Sequence, residues 1–279
     1  MSSASARWFD VGKSNTRWSR LANQILPRVA AVGGLLLIWW LASISGLFTE
    51  SMLPPPGAVI RSFVDNFAQP DPPRESILAA TQASIIRLIV GLGIGIVIGT
   101  TIGLAMAAST WTQRSVGSLM SGLQALPSIS WLPLAIIWFG LTERSILFVV
   151  IIASIPAVAI AAASAIRLVP PLLVRAGRTL GARRGPLYRR VVLPAAVPAY
   201  IAGLQSAWAL AWRALMAGEL ISTGGKGLGH LLDANRQIFS TSNIFAVMLM
   251  IIIVGMVVES LFGVLDRRVR SRRGLLVNE

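Results

Sequence analysis

Four ionisable side chains fall in or near long apolar runs: Arg87, Arg213, Glu219 and Glu259. A charge taken into lipid is costly, so each must find a partner, a backbone carbonyl or a polar path. Arg213 stands midway along its run, between Trp212 and Ala214. Its planar guanidinium suits an oxyanion. It reads either as a positive site on a solute path or as an internal anchor. As an anchor, its partners would be Glu219, Glu259 or carbonyls freed at Pro133. Arg87, inside an earlier run, reads as a structural cation that snorkels outward along its own stem. Structural roles are favoured for Glu219 and Glu259, although Glu219 is kept as a candidate path residue. The chain has one histidine, His230, and no cysteine, so it lacks the means for a thiolate metal site or a disulfide framework. Lys226 sits in Gly224-Gly225-Lys226-Gly227, followed by glycine rather than Ser or Thr, which is not a phosphate loop. Gly93-Ile94-Gly95 lies inside an apolar run and has the wrong spacing for a dinucleotide loop.

The elements that must carry these groups are membrane helices. Of 279 residues, 54 % are hydrophobic and 13 % charged, and runs long enough to cross a bilayer recur. The fold class is all-α, a polytopic membrane protein with six transmembrane helices. The expected spans are 29–48, 77–108, 116–141, 146–166, 198–221 and 244–265. Residues 1–28 form a basic leader, 29–265 the membrane domain and 266–279 a basic tail. No cleaved signal peptide is expected, since the first apolar run follows too long a polar leader. Val59, Ile60, Phe63, Val64 and Phe67 fall at helical spacing, which predicts a short helix on the outer membrane surface. Gly91, Gly95, Gly99 and Gly103 form one stripe along the second span, where another helix can approach closely. The third span is interrupted by Leu126-Pro127-Ser128-Ile129-Ser130-Trp131-Leu132-Pro133-Leu134. Pro127 and Pro133 each remove a helix donor, which predicts a kinked path. Such a break at membrane depth needs protein or a cavity to satisfy the freed groups. Pro127, Ser128, Ser130, Pro133, Arg213 and Glu219 are therefore the candidate path residues.

Net charge is +14, with 25 Lys and Arg against 11 Asp and Glu. In this setting the cations orient the chain rather than bind nucleic acid. The leader carries five cations and one acid. The first connecting segment carries two cations and four acids, and the third and fifth balance. The fourth carries seven arginines, and the tail is strongly basic. Positive segments alternate with neutral or acidic ones. Both termini and the fourth segment are thus expected in the cytoplasm.

That fourth segment is the most informative. Pro170 and Pro171 suit a helix start. Leu172, Ala176 and Leu180 fall on one face, and Gly181 or Gly185 would end the helix. Pro186 restarts the chain, which returns to the membrane at Pro194 and Pro198. By itself this is a loop held inside by charge. The run from Arg175 to Pro194 also resembles the E-A-A loop of ATP-binding-cassette (ABC) importer permeases. That pattern is E-A-A, three residues, G, nine residues, I, one residue, L-P. Ala176, Gly181, Leu193 and Pro194 match in register, and Val191 replaces the isoleucine. Arg175 stands where the family has Glu, and Gly177 where it has the second Ala. Leu53-Pro54-Pro55-Pro56, Trp131-Leu132-Pro133-Leu134 with Trp138-Phe139-Gly140, and Gly218-Glu219 with Gly227-Leu228-Gly229 are similar to the branch for aliphatic sulfonates, taurine and nitrate. Bicarbonate, cyanate and heterocycle-precursor importers share much of that pattern.

The resemblance implies a non-enzymatic transport subunit in a bacterial inner membrane. It implies two partner ATPases that bind ATP and Mg, with no cofactor in this chain. It also implies a second permease subunit, either another copy of this chain or a different one, and an extracytoplasmic solute-binding protein. His230 is an outer-loop residue available to that protein. Residues 167–194 would be the coupling loop, with Arg175, Ala176, Gly177, Arg178, Gly181, Ala182, Arg183, Val191, Leu193 and Pro194 at the ATPase. Nearby arginines suit acidic groups there or lipid phosphates. The solute would be small and anionic. A self-contained channel or secondary transporter is the alternative, and a membrane scaffold a third class.

Overall fold

The computed structural model describes residues 17–67, 75–221 and 225–271. The expected leader up to residue 16, the tail from 272 and Ser222–Gly224 lie outside the described residues. Every regular element among the described residues is helical. The chain forms two compact units, 1–58 and 59–279.

In the first unit, α1 (Arg17–Ile44) contains Pro27. Its apolar stretch, Val29–Ile44, is shorter than a full crossing. The Trp39 indole N–H donates to the Pro54 carbonyl at 3.1 Å, which ties the proline run back to α1. The helix α2 (Pro56–Phe67) then carries the chain into the second unit.

Among the described residues of the second unit, four helices are long and apolar enough to cross a membrane. These are α3 (Ile77–Ala108), α6 (Glu143–Arg167), α9 (Leu193–Ile221) with its N-terminal extension, and α11 (Thr241–Ser271). A fifth exists if α4 (Thr110–Ala125) and the segment Ser128–Phe139 are counted as one broken span. Four or five thus stand where the sequence predicts six, and the first expected span is the short one in α1. The short helix expected at 59–67 is present as α2. Phe63 and Phe67 pack onto the main core, and Asn66 Nδ2 donates to Asn243 Oδ1 at 3.2 Å. Ile60 and Val64 remain exposed on its other side.

The glycine stripe decides the packing. Ser76 caps α3 by accepting from Ala79 N at 3.1 Å. From there Gly91, Gly95, Gly99 and Gly103 run along α6. A Cβ on Gly91 would lie 2.7 Å from Val150 Cγ1, and one on Gly99 2.8 Å from the Ile155 carbonyl oxygen. One on Gly103 would lie 2.5 Å from the Ala159 oxygen and 2.6 Å from Ala162 Cβ. The opposite side of α6 meets α9, where Gly203 closes against Ala161. Thus α6 is the central helix, and its small residues Ala157, Ala159, Ala162 and Ala163 are buried. Lipid offers little hydrophobic drive between helices, so dispersion at short backbone distance holds α3, α6 and α9 together. The stacked Trp208 and Trp212 rings, 5.9 Å apart, join the core that α9 shares with α3, α10 (Leu228–Gln237) and α11.

The proline-broken segment is sharper than a kink. The helix α4 stops at Ala125, and Leu126 and Pro127 are extended. A 3₁₀ turn covers Ser128–Trp131 and α5 (Leu132–Phe139) follows, bent from α4 by 96°. Pro133 lies in the first turn of α5, where its missing N–H has no helical acceptor to lose. Pro127 does the breaking, because the residue before proline avoids the helical region.

Replacing Gly103 by valine should lower the melting temperature of the detergent-solubilised protein by several degrees. It forces atoms into the α6 backbone, a cost of about 1–3 kcal/mol. Gly93, whose added Cβ meets nothing within 4 Å, serves as the control. Gly93→Ala should leave the melting point level or slightly raised, by its better helix propensity.

Candidate functional site

Three sites stand out, two near the ends of α6 and one beside its middle. At the C-terminal end, the chain leaves α6 through Leu168 and Val169 and enters α7 (Pro171–Thr179) with proline in its first turn. The helix closes with Leu180 N donating to the Ala176 oxygen at 3.1 Å and Ala182 N to the Gly177 oxygen at 3.0 Å. Gly181 has φ +81°, the left-handed residue such a cap requires. Its added Cβ would meet nothing. Gly181 therefore serves the turn of its own chain. Gly177 is buried, and a Cβ there would sit 2.6 Å from Leu187 Cδ1 and 3.4 Å from Val191 Cγ2. Glycine in place of alanine lets α7 lie directly on the returning segment.

That segment is α8 (Arg184–Leu187), then a π turn over Tyr188–Val192, running on into α9. Pro194 and Pro198, expected where the chain returns to the membrane, both lie within α9. Proline at 194 cannot donate and its ring crowds the carbonyl four residues back. The widened turn, with Leu193 N bonded to the Tyr188 oxygen, accommodates this without stopping the helix. Ala165, Val169, Val192 and Ala196 bury together and fix the loop to α6 and α9. On the opposite side Leu172 is 75 % and Leu180 88 % exposed, with Ala176 also open. Arg175, Arg178 and Arg183 are exposed as well.

At the other end of α6 is a buried charge cluster. Glu219 is fully buried. Its carboxylate accepts from Arg87 Nη1 at 2.8 Å, from Ser84 Oγ at 2.9 and 2.8 Å, and from Gly229 N at 3.0 Å. Ser84 Oγ in turn accepts from Leu228 N at 2.9 Å. Arg87 also donates to Glu143 Oε1 at 2.7 Å and to the Lys226 carbonyl. Arg87 is 6 % exposed, so the expected outward snorkel gives way to a bridge between two carboxylates. The glycines explain the approach. A Cβ on Gly227 would meet the Glu219 carboxyl at 2.6 Å, and one on Gly229 would meet Glu219 Cβ at 2.5 Å. Gly218-Glu219 and Gly227-Leu228-Gly229 are two halves of one contact. Nearby, burial raises the Glu75 carboxyl above its ordinary value of 4.5, against the opposing effect of Lys226. On α10, the hydrogen bond from Arg236 holds the Asp233 carboxyl below its ordinary range.

The candidate path residues divide. Pro127, Ser128 and Arg213 line one cavity of about 230 Å³, with Gln124, Trp131 and Ala153 among its other walls. Arg213 is exposed, and its Nε donates to the Ala209 oxygen of its own helix at 3.1 Å. No ion pair holds it among the described residues. Glu219 belongs to the Arg87 cluster, and Glu259 accepts from Gln205. Neither expected carboxylate therefore anchors Arg213. Ser130 belongs to the 3₁₀ turn, its N–H bonded to the Pro127 oxygen at 2.9 Å, and Pro133 starts α5. The partners of Arg87 escaped the sequence reading because Glu143, Glu219 and Lys226 lie 56, 132 and 139 positions from it in the chain. The single available signal was a serine and an arginine one turn apart facing the same side.

Crossing-length apolar helices, with a helical loop between two of them, define a multi-pass membrane protein. Residues 91–271 match the family described as the binding-protein-dependent transport system inner membrane component. The chain belongs to this family and is an ABC importer permease. It is 28 % identical to the taurine transport system permease protein TauC of Escherichia coli (strain K12), over 92 % of this chain and 93 % of that one. It is 26 % identical to the bicarbonate transport system permease protein CmpB of Synechococcus elongatus, over 83 % of this chain and 84 % of that one. The fold is shared with a solved inward-facing form of the MetNI methionine ABC transporter. There the TM-score is 0.58 at 18 % identity, over 67 % of this chain and 93 % of that one.

Removing Arg87 alone, as Arg87→Met, should destabilise the protein by about 3–5 kcal/mol, because Glu219 is left as an unpaired buried charge. Adding Glu219→Leu should recover most of the loss in a melting experiment. Glu143→Gln, at an exposed carboxylate, should cost about 1 kcal/mol or less. The raised Glu75 value has the opposite sign. The folded state holds that proton more tightly, so stability is lost as pH rises through the folded value. Glu75→Gln should raise the melting temperature at pH 7, and the gain should vanish as pH falls below 4.5.

Proposed function

We propose that this chain forms the translocation path of an ABC importer for a small anionic solute such as an aliphatic sulfonate, taurine or nitrate. Two partner ATPases bind ATP and Mg and carry out the hydrolysis. This chain performs no catalysis. It pairs with a second permease subunit, most simply another copy of itself, and receives solute from an extracytoplasmic binding protein. The apolar stretch of α1 completes six spans. Both termini and α7 face the cytoplasm of a bacterial inner membrane, consistent with the seven arginines of 167–190.

The observation that carries this reading is the exposed face of α7. Leu172, Ala176 and Leu180 are open on a short helix that is otherwise locked to α6 and α9 through Gly177 and Val192. A partner that grips this face moves the ends of both helices. Motion of paired ATPases is thereby passed into the membrane, and ATP biases one of two nearly balanced states. Taurine and bicarbonate, named for the two relatives, each carry an oxyanion group, which supports an anionic solute.

Co-purification of an ATPase with the chain supports this reading, whereas transport by the chain alone would return it to the self-contained class. Gly181 provides the finer test. Gly181→Val places a β-branched residue at φ +81° and should distort the α7 cap by about 1–2 kcal/mol. Uptake should fall at least severalfold, with solute-stimulated ATPase lost. Gly181→Asn tolerates the left-handed region and should retain uptake. Wild-type uptake and stimulation in the valine variant would remove Gly181 from the coupling mechanism.

A further inference from the structure

The cavity beside the α4–α5 break is built unlike the rest of the membrane domain. It lies beside the middle of α6, at Ala153, and holds about 230 Å³. A water occupies about 30 Å³, so the space admits roughly seven waters or an organic solute of similar size. Its walls are largely apolar, with Leu123, Trp131 and Leu210 among them. Three side chains bring polarity: Gln124, Ser128 and Arg213. No carboxylate lines it. Apolar walls with a few convergent polar groups are the usual build of a small-molecule site.

Arg213 makes the site specific. The guanidinium has five N–H donors, and among the described residues only Nε is used, on the Ala209 carbonyl. An arginine within an apolar crossing helix normally finds a counter-charge in the protein. Here the one acid on the same helix, Glu219, lies six positions on and off the face of Arg213, and it is bound to Arg87, Ser84 and Gly229. The Ser128 hydroxyl and the Gln124 amide likewise have no hydrogen-bond partner among the described residues. Arg213 therefore lines the cavity with no ion-pair partner among the described residues.

We propose that this cavity holds the oxyanion group of the solute during passage. Arg213 supplies the charge, Ser128 and Gln124 supply flanking hydrogen bonds, and Trp131 covers the carbon skeleton. The ligand class is a small organic or inorganic monoanion of the sulfonate, carboxylate or bicarbonate type. A neutral isostere leaves the guanidinium unpaired and is rejected. The inference rests on the transport reading above and deepens it.

The test reads the cavity directly, without the binding protein. The permease is purified with its bound subunits after 5-fluorotryptophan labelling, and the Trp131 fluorine line is assigned with Trp131→Phe. Ethanesulfonate, bicarbonate and the neutral ethyl methyl sulfone are titrated in turn. At least one of the two anions should shift the Trp131 line saturably, and the sulfone should not. Arg213→Gln should weaken that response by about tenfold or more, as expected for loss of a charge-assisted pair. Arg213→Lys should restore part of it. Unchanged lines from the other tryptophans show that the variants remain folded. Ser128→Ala, which removes only one flanking bond, gives a second series with a smaller loss if Arg213→Gln perturbs those lines. An equal response to the sulfone, full response in Arg213→Gln, or no response to either anion overturns the proposal. Absence of a co-purifying ATPase would instead remove the transport reading, and the Trp131 titration does not depend on it.

Discussion

The structure depends on how closely α3 and α6 approach. Between helices in lipid, burying leucine against leucine gains little, because the acyl chains are just as apolar. What remains is contact area at short range and the polar bonds that short range permits. Gly91, Gly95, Gly99 and Gly103 bring the α3 backbone against Val150, Ser154, Val158 and Ala162. With Gly203 closing on Ala161 from the other side, α6 is gripped along most of its length. A helix of 25 residues is about 37 Å long. It thus serves as a strut whose ends carry different chemistry.

The approach makes the charge cluster possible. Glu219 is removed from solvent entirely, which is tolerable only when each oxygen is satisfied. Arg87, Ser84 and the Gly229 amide do this together, from α3 and the start of α10. Arg87 is held in turn by Glu143 and the Lys226 carbonyl, so the segment after α9 is fastened to α3 and to the start of α6. At the far end, the fastening is apolar. Gly177 seats α7 on Leu187, and Ala165, Val169, Val192 and Ala196 close the joint. A rigid joint there and an open outer face on α7 are the properties a transmitting element needs.

Between the two ends the chain leaves one break unrepaired. The path turns by 96° after Ala125, and the space beside the turn is lined by Arg213. An open cavity lined by a cation with no ion pair among the described residues is the feature with least structural purpose. Its position beside the strut means that displacement of α6 or α9 alters its shape directly.

Much of this was legible in the residues. Apolar run length placed α3, α6, α9 and α11, since crossing a bilayer demands about twenty apolar residues whatever the tertiary context. The four-residue glycine spacing announced a close helix contact, because that period returns to one face. The spacing from Ala176 to Pro194 located the projecting loop and its glycine cap. The sequence did not reveal that the glycines face α6, that Gly181 rather than Gly185 closes the helix, or that Gly177 is the residue that packs. Nor did it pair Arg87 with Glu219 and Glu143, which lie 132 and 56 positions away. A charge in a span announces that it must have a partner, but which partner depends on distances that only the folded helices set. Arg213 shows the same limit from the other side. Its charge and depth were plain in the chain, whereas its place in a cavity without a carboxylate, and the absence of an ion pair to it among the described residues, followed only from the folded helices.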